Sequence, residues 1–238
     1  MLTKKQTILR YSVVAIIFIL FLFVAAAVSA NALWVKQFDS TIRTMCQAVQ
    51  PVGLTKVITL ATDFAGVKGM IVITAIIVII MACYRQFLWA CWLGVNMLVG
   101  ASGINWVFKS LFQRERPVNM LIEQGGFSFP SGHTMAITTF TLSIVFMLTV
   151  NQRYHRKTYL IITACLISFI GYTRIYLGVH YPSDIIGGFL LASTYMIVST
   201  TLFRQFGPRI QKLFIEKGLN DRFVFSKDYA YTPPDTME

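Results

Sequence analysis

Residues 87–117 read FLWACWLGVNMLVGASGINWVFKSLFQRERP. The stretch 87–108 carries no charged residue and is long enough to cross a bilayer core, which takes about 20 mostly apolar residues. Lys109, Arg114, Glu115 and Arg116 then follow in quick succession, closed by Pro117. A span that ends in a cluster of cations sets the plan for the whole chain.

Five further stretches qualify as spans: 11–34, 64–84, 131–150, 158–173 extending to 178, and 185–203. The expected fold is therefore all-α, a polytopic membrane protein of six transmembrane helices, with its core helices bundled around an interfacial site. In 64–84 Lys68 falls in the first turn and has to snorkel. Ala27 and Ser29-Ala30 near the end of the first span leave a signal peptide as an alternative. Its apolar run exceeds the usual length of such a region, which favours an uncleaved anchor.

Composition agrees. Of 238 residues 55% are hydrophobic and 13% charged, too apolar a chain for one small globular core. The net charge of +11 falls mostly between apolar runs, not in a patch interleaved with aromatics, so anionic lipid and not nucleic acid is the expected partner. Cys46, Cys83, Cys91 and Cys165 form no C-x-x-C pair. They read as small apolar fillers, neither a disulfide framework nor a zinc site.

With the N-terminus inside, thirteen of the 21 Lys and Arg residues lie on the inner side and eight on the outer. That bias puts both termini in the cytoplasm. The domain expectation is a cytoplasmic N-terminus at 1–10, a six-span unit at 11–205 and a basic cytoplasmic tail at 206–238. Within the unit, 35–63 places Val35, Phe38, Ile42, Cys46 and Val49 at helical spacing, an amphipathic helix lying on the outer surface. The tail carries Ile210, Leu213 and Phe214 among Arg209, Lys212 and Lys217, suited to the inner leaflet, and 229–238 is expected to be disordered. No internal repeat is present.

Three polar clusters emerge on one side of the membrane whichever way the chain inserts: Lys109 to Pro117, Pro130-Ser131-Gly132-His133, and Arg174 with His180 and Asp184. Each alone has a bland explanation. Lys109 and Arg116 suit interfacial charges, Ser131 a helix N-cap, His180 an interfacial histidine and Asp184 a helix cap. Together they make a site for phosphoryl chemistry. Arg116 and Arg174 offer planar forks and Lys109 a point charge to the equatorial oxygens of a phosphoryl group. Ser131 and the Gly132 N–H sit at a helix start, which favours an anion. His180 and Asp184, four apart, share a face if helical; the carboxylate then fixes one ring nitrogen while the other attacks phosphorus. His133 becomes the acid for the leaving alkoxide and the base for water. Glu115 and Asp184, the acids of these clusters, lack an acidic partner for magnesium.

In sequence terms the clusters read K-x6-R-P, P-S-G-H and T-R-x5-H-x3-D. In that order and placement they resemble the signature of the type 2 phosphatidic acid phosphatases, also called lipid phosphate phosphatases, over nearly all of 11–205. The resemblance implies six helices, neither metal nor cofactor, and no obligatory protein partner. It implies His180 as nucleophile, Asp184 as its orienting group, His133 as acid, and Lys109, Arg116, Ser131, Gly132 and Arg174 as phosphate ligands. One departure is Thr173, where the family usually has Ser. Family substrates include phosphatidic acid, phosphatidylglycerol phosphate, undecaprenyl diphosphate and lipid A phosphates; the chain's size and compactness look bacterial, and an active site at the outer face slightly favours undecaprenyl diphosphate.

Two other readings compete. A phosphotransferase of the same fold needs a second lipid acceptor. A non-catalytic transporter or sensor calls for ionisable groups at mid-membrane, where this sequence offers only Asn96 and Asn105. Gly187-Gly188 and Ala101-Ser102-Gly103 read as helix packing.

Overall fold

A computed structural model describes residues 2–64, 66–150, 155–219 and 221–222. The expected disorder of 229–238, and Arg153 of the inner charge count, lie outside these residues. Among the described residues all regular structure is helical: α1 (Lys4–Ser29), α2 (Leu33–Gln47), α3 (Val52–Phe64), α4 (Val67–Cys83), α5 (Phe87–Val95), a π segment (Asn96–Gly103), α6 (Ile104–Phe112), α7 (Gly132–Thr149), α8 (Arg156–Tyr176) and α9 (Pro182–Glu216). Five helices are long and apolar enough to cross a membrane, α5 to α6 counting as one, and the bent pair α3–α4 makes a sixth. The chain is a multi-pass membrane protein.

The first helix starts seven residues before the expected span. Thr3 caps it: its hydroxyl accepts from Gln6 N at 3.2 Å and Gln6 Oε1 accepts from Thr3 N at 3.0 Å. Seven residues in, Arg10 reaches α9, donating to Thr200 and Thr201 hydroxyls at 2.6 Å each. Further along, Phe21 is fully buried and packs against Phe108, Phe112 and Phe129 just below the polar end of the bundle.

The segment 35–63 departs from one surface helix. It forms α2 and α3, and α3 meets α4 at a 43° bend. The reason is composition: 52–64 is apolar enough to pack, and Ile58 and Thr62 are buried. Within α2 the buried positions are Val35 and Asp39 while Phe38 is exposed, as is Val49 just beyond the helix. Gln47 and Gln50 donate to the carbonyls of Ile175 (3.0 Å) and Tyr176 (2.7 Å). Those acceptors belong to the last turn of α8, where carbonyls have no intrahelical partner.

The third span runs on to Phe112 and contains the π segment. Gly100 is required there, since a Cβ would sit 2.2 Å from the Tyr195 ring. Asn96 of this segment accepts from the Ser199 hydroxyl at 2.6 Å, so it is a packing group between spans. Glycines also seal α7 to α9. A Cβ on Gly188 would meet the Ser131 carbonyl at 2.7 Å, and one on Gly187 the Phe129 ring at 2.5 Å.

At the opposite end, Trp89, Trp92, Phe146 and Phe203 form an aromatic cluster. The boundary expected at 205 falls inside α9, which continues unbroken to Glu216. Phe214 packs on the aromatic cluster, and the chain then folds back so that Asp221 accepts from Leu88 N (3.1 Å), capping α5. Cys83, Cys91 and Cys165 are exposed and Cys46 is half-buried; all four are free thiols.

Candidate active site

The site lies where the 113–131 loop, the α8–α9 turn and the N-terminal turns of α7 and α9 meet. Arg116 staples the two loops. Its Nε donates to Gly126 O (2.9 Å), its Nη2 to Phe127 O (3.1 Å) and its Nη1 to Val179 O (2.7 Å). Lys109, in the last turn of α6, donates to the carbonyls of Phe127 and, at 3.3 Å, Ser128. Backbone bonds Leu121 N to Leu177 O (2.9 Å) and Ser131 N to Asp184 O (3.0 Å) complete the closure.

His180 is 1% exposed and stands just before α9, so only Asp184 of the pair is helical. Its Nδ1 lies 3.2 Å from Asp184 Oδ2 and its Nε2 3.3 Å from Arg116 Nη1. With Nδ1–H donating to the carboxylate, Nε2 keeps a lone pair on the side of the cations. Burial pulls the His180 pKa down to about 4; Asp184 opposes that shift, and Arg116 and Lys109 add to it. The imidazole is therefore neutral near pH 7, the state a nucleophile needs. Burial also lowers the Arg116 pKa from its ordinary value, with Asp184 opposing.

Asp184 is fully buried. Besides His180 it accepts from Tyr181 N (2.8 Å), which fixes it in the first turn of α9. Its other oxygen accepts from Arg114 Nη1 at 2.7 Å.

Arg174 projects from α8 and is 1% exposed. Its Nη2 donates to Gln124 Oε1 (2.8 Å) and its Nη1 to Thr62 Oγ1 (3.4 Å), while its buried Nε has no partner among the described residues. A buried donor left unpaired costs about 1–3 kcal/mol, so an acceptor on Nε would be favourable. The hydroxyl of Thr173 donates to Ile170 O (2.7 Å) and lies 3.0 Å from Thr62, so the departure at 173 faces protein.

Ser131 is the N-cap of α7, its hydroxyl accepting from Thr134 N (3.4 Å) and Thr134 Oγ1 (3.1 Å). Gly132 leaves room for Asn105, since a Cβ there would lie 3.0 Å from its Oδ1. Asn105 in turn donates to Pro130 O at 3.2 Å, holding the start of α7. His133 has Arg174, His180, Arg116 and Lys109 as electrostatic neighbours. Its Nε2 faces the α3–α4 bend, 3.1 Å from where a Cβ on Gly66 would stand.

All eight residues expected from the sequence thus come to one end of the bundle. Asp39, Thr62 and Gln124 were not anticipated as neighbours, and Arg114 and Asn105, both noted in the sequence, had been given no part in the site. Asp39 falls four residues after Val35 on the buried stripe of α2, an acid where the apolar pattern would place a hydrophobe. Among the described residues, no three His, Cys, Asp or Glu side chains gather to hold a metal ion.

A membrane bundle that gathers two histidines, an acid and three cations at one end is suited to phosphoryl chemistry, and the comparisons point the same way. The sequence model of the PAP2 superfamily matches residues 89–208. Phosphatidylglycerophosphatase B of Bacillus subtilis (strain 168) is 32% identical over 182 residues, 74% of this chain and 87% of that protein. An Escherichia coli (strain K12) protein described as a candidate undecaprenyl-diphosphatase is 28% identical over 113 residues, 45% of this chain and 54% of that one. The crystal structure of a transmembrane PAP2 type phosphatidylglycerolphosphate phosphatase from Bacillus subtilis superposes with a TM-score of 0.69 at 27% identity, covering 81% of this chain and 96% of that one. The chain belongs to the PAP2 superfamily. Its activity class is that of a membrane lipid phosphatase.

Proposed function

We propose that the protein hydrolyses a lipid phosphate monoester, with phosphatidylglycerol phosphate as its first substrate, through a phosphohistidine on His180. The observation that carries this is the position of His180 between Asp184 at 3.2 Å and Arg116 at 3.3 Å. The substrate assignment draws on the Bacillus subtilis matches, in sequence over 87% of the relative's length and in structure over 96%.

The phosphoryl oxygens bind Arg116, Arg174 and Lys109 and the Ser131–Gly132 helix start. The Nε2 lone pair forms a bond to phosphorus as the bond to the lipid oxygen breaks, its electron pair leaving on that oxygen. His133 gives this oxygen a proton, and Asp184 balances the positive charge of the ring. In the second half His133 takes a proton from water, whose oxygen bonds phosphorus. The P–N bond breaks, its pair returns to Nε2, and inorganic phosphate leaves.

The basic bias, with Lys4, Lys5, Arg10, Arg85, Arg156, Lys157 and the tail on one side, supports cytoplasmic termini and a catalytic end facing outward. The test is phosphate release by the detergent-purified protein in EDTA from phosphatidylglycerol phosphate, phosphatidic acid and undecaprenyl diphosphate. Preference for the first supports the assignment. A ranking led by undecaprenyl diphosphate would move the substrate to the second class of relatives.

A further inference from the structure

Behind Asp184 the buried charge continues. Arg114 forks between two carboxylates, giving Nη1 to Asp184 Oδ1 at 2.7 Å and Nη2 to Asp39 Oδ2 at 2.8 Å. Both acids are shut away from solvent, with side chains 0% and 3% exposed. Asp39 comes from α2, 145 positions before Asp184, and is locked in place by Ser183. It accepts from Ser183 N at 2.9 Å and from the Ser183 hydroxyl at 2.7 Å. The Arg114 guanidinium also lies 4.0 Å over the Tyr181 ring, which fixes its plane.

The charge balance gives this arrangement a function. Arg114 alone beside Asp184 would cancel the negative charge that His180 needs when its ring becomes cationic. A second carboxylate on the far side of Arg114 restores it. Asp39, Arg114 and Asp184 together carry one net negative charge against neutral His180. We infer that Asp39 and Arg114 are positioning residues for the phosphoryl-transfer step: Arg114 orients the Asp184 carboxylate, and Asp39 neutralises Arg114 so that Asp184 can stabilise the His180 cation. The inference rests on the phosphohistidine reading above. It also gives α2 a role in catalysis, as the element that delivers the outer acid.

Neither residue is placed to touch the phosphoryl group, so kcat should respond and KM should not. Asp39→Asn leaves the sum at zero and is expected to lower kcat at least tenfold. Arg114→Gln leaves two facing acids and loses the bond to Asp184, with a loss of similar size. The double variant Asp39→Asn/Arg114→Gln returns the sum to one negative charge and is expected to exceed both single variants in kcat. A merely structural part for these residues would make the double no better than the worse single. Arg114→Lys keeps the charge and is expected to retain more activity than Arg114→Gln.

The experiment measures single-turnover formation of phosphohistidine and steady-state phosphate release from phosphatidylglycerol phosphate in detergent, for wild type, His180→Ala and these four variants. Thermal melting is recorded for each. Recovery in the double variant and in Arg114→Lys supports the inference. A folded double variant no faster than Asp39→Asn, or Arg114→Lys no faster than Arg114→Gln, overturns it while leaving the His180 mechanism standing. Turnover by His180→Ala overturns both.

Discussion

Arg116 holds its Nη1 3.3 Å from Nε2 of His180, on the ring edge opposite the Nδ1 that faces Asp184. One imidazole is thus gripped by an acid at one nitrogen and approached by a cation at the other. Burial, with Arg116 adding to it, holds the ring neutral, and Nε2 is the nitrogen that faces the cation.

That arrangement has a pH signature. His180 is held at about 4, with burial the main cause, Arg116 and Lys109 pushing the same way and Asp184 pushing back. Neutral His180 should therefore persist well below the ordinary histidine range near 6.5. NMR titration of ring-labelled histidine should find the His180 transition raised in Arg116→Gln and lowered in Asp184→Asn. A group lowered on folding adds stability that is complete above its unfolded value and is lost as pH falls toward the folded one. Acidification through that window should accordingly favour unfolding less in Arg116→Gln.

Arg174→Lys tests the planar fork. Arg174 spans Gln124 and Thr62 with its two terminal nitrogens, and its buried Nε has no partner among the described residues. Lysine replaces this with a point charge. Loss of one or two charged hydrogen bonds, at about 1.5–3 kcal/mol each, corresponds to at least a tenfold fall in kcat/KM. Steady-state kinetics that leave kcat/KM unchanged would count against a phosphate-binding role.

Gly188→Ala probes the seam between α7 and α9. Its new methyl would meet a backbone carbonyl, Ser131 O, at 2.7 Å, and backbone cannot turn aside as a side chain can. The expected cost is about 1–3 kcal/mol from overpacking, read as a lower melting temperature. Because Ser131 N is bonded to Asp184 O, kcat should fall with it. Full stability would show that the helices slide apart freely here.

Topology can be read with a membrane-impermeant thiol reagent on a cysteine-free background. A cysteine at Gly125, in the catalytic loop, should label from outside in intact cells, and one at Lys157 only after lysis. The reverse pattern would turn the protein over and place the active site in the cytoplasm.

Much of the bundle was legible in the sequence because long apolar runs have few alternatives. The site residues were legible because histidines, arginines and an acid beside such runs are costly and need a reason. The α2–α3 segment was harder. Its apolar content is intermediate, so the pattern alone did not separate a surface helix from a packed one, and the bend between α3 and α4 hid half of a span. Asp39 was invisible for a related cause. A single acid on an amphipathic stripe reads as solvated until its partner, Arg114, 75 positions away, is seen beside it. Asn105 was noted as a polar group within a span, but its task, holding the carbonyl of Pro130, needs the loop folded back onto the helix to be seen. The continuation of α9 past 205 runs through Pro208, a residue that ordinarily breaks a helix but here sits inside one.

The most direct measurement is a rapid-quench experiment with 32P-labelled phosphatidylglycerol phosphate in EDTA, comparing wild type, His180→Ala and His133→Ala. Wild type should form an acid-labile, base-stable phosphoprotein before phosphate appears, His133→Ala should accumulate less or release it slowly, and His180→Ala should form none. Phosphate release by His180→Ala at the wild-type rate, with the protein folded, would contradict a phosphohistidine at position 180.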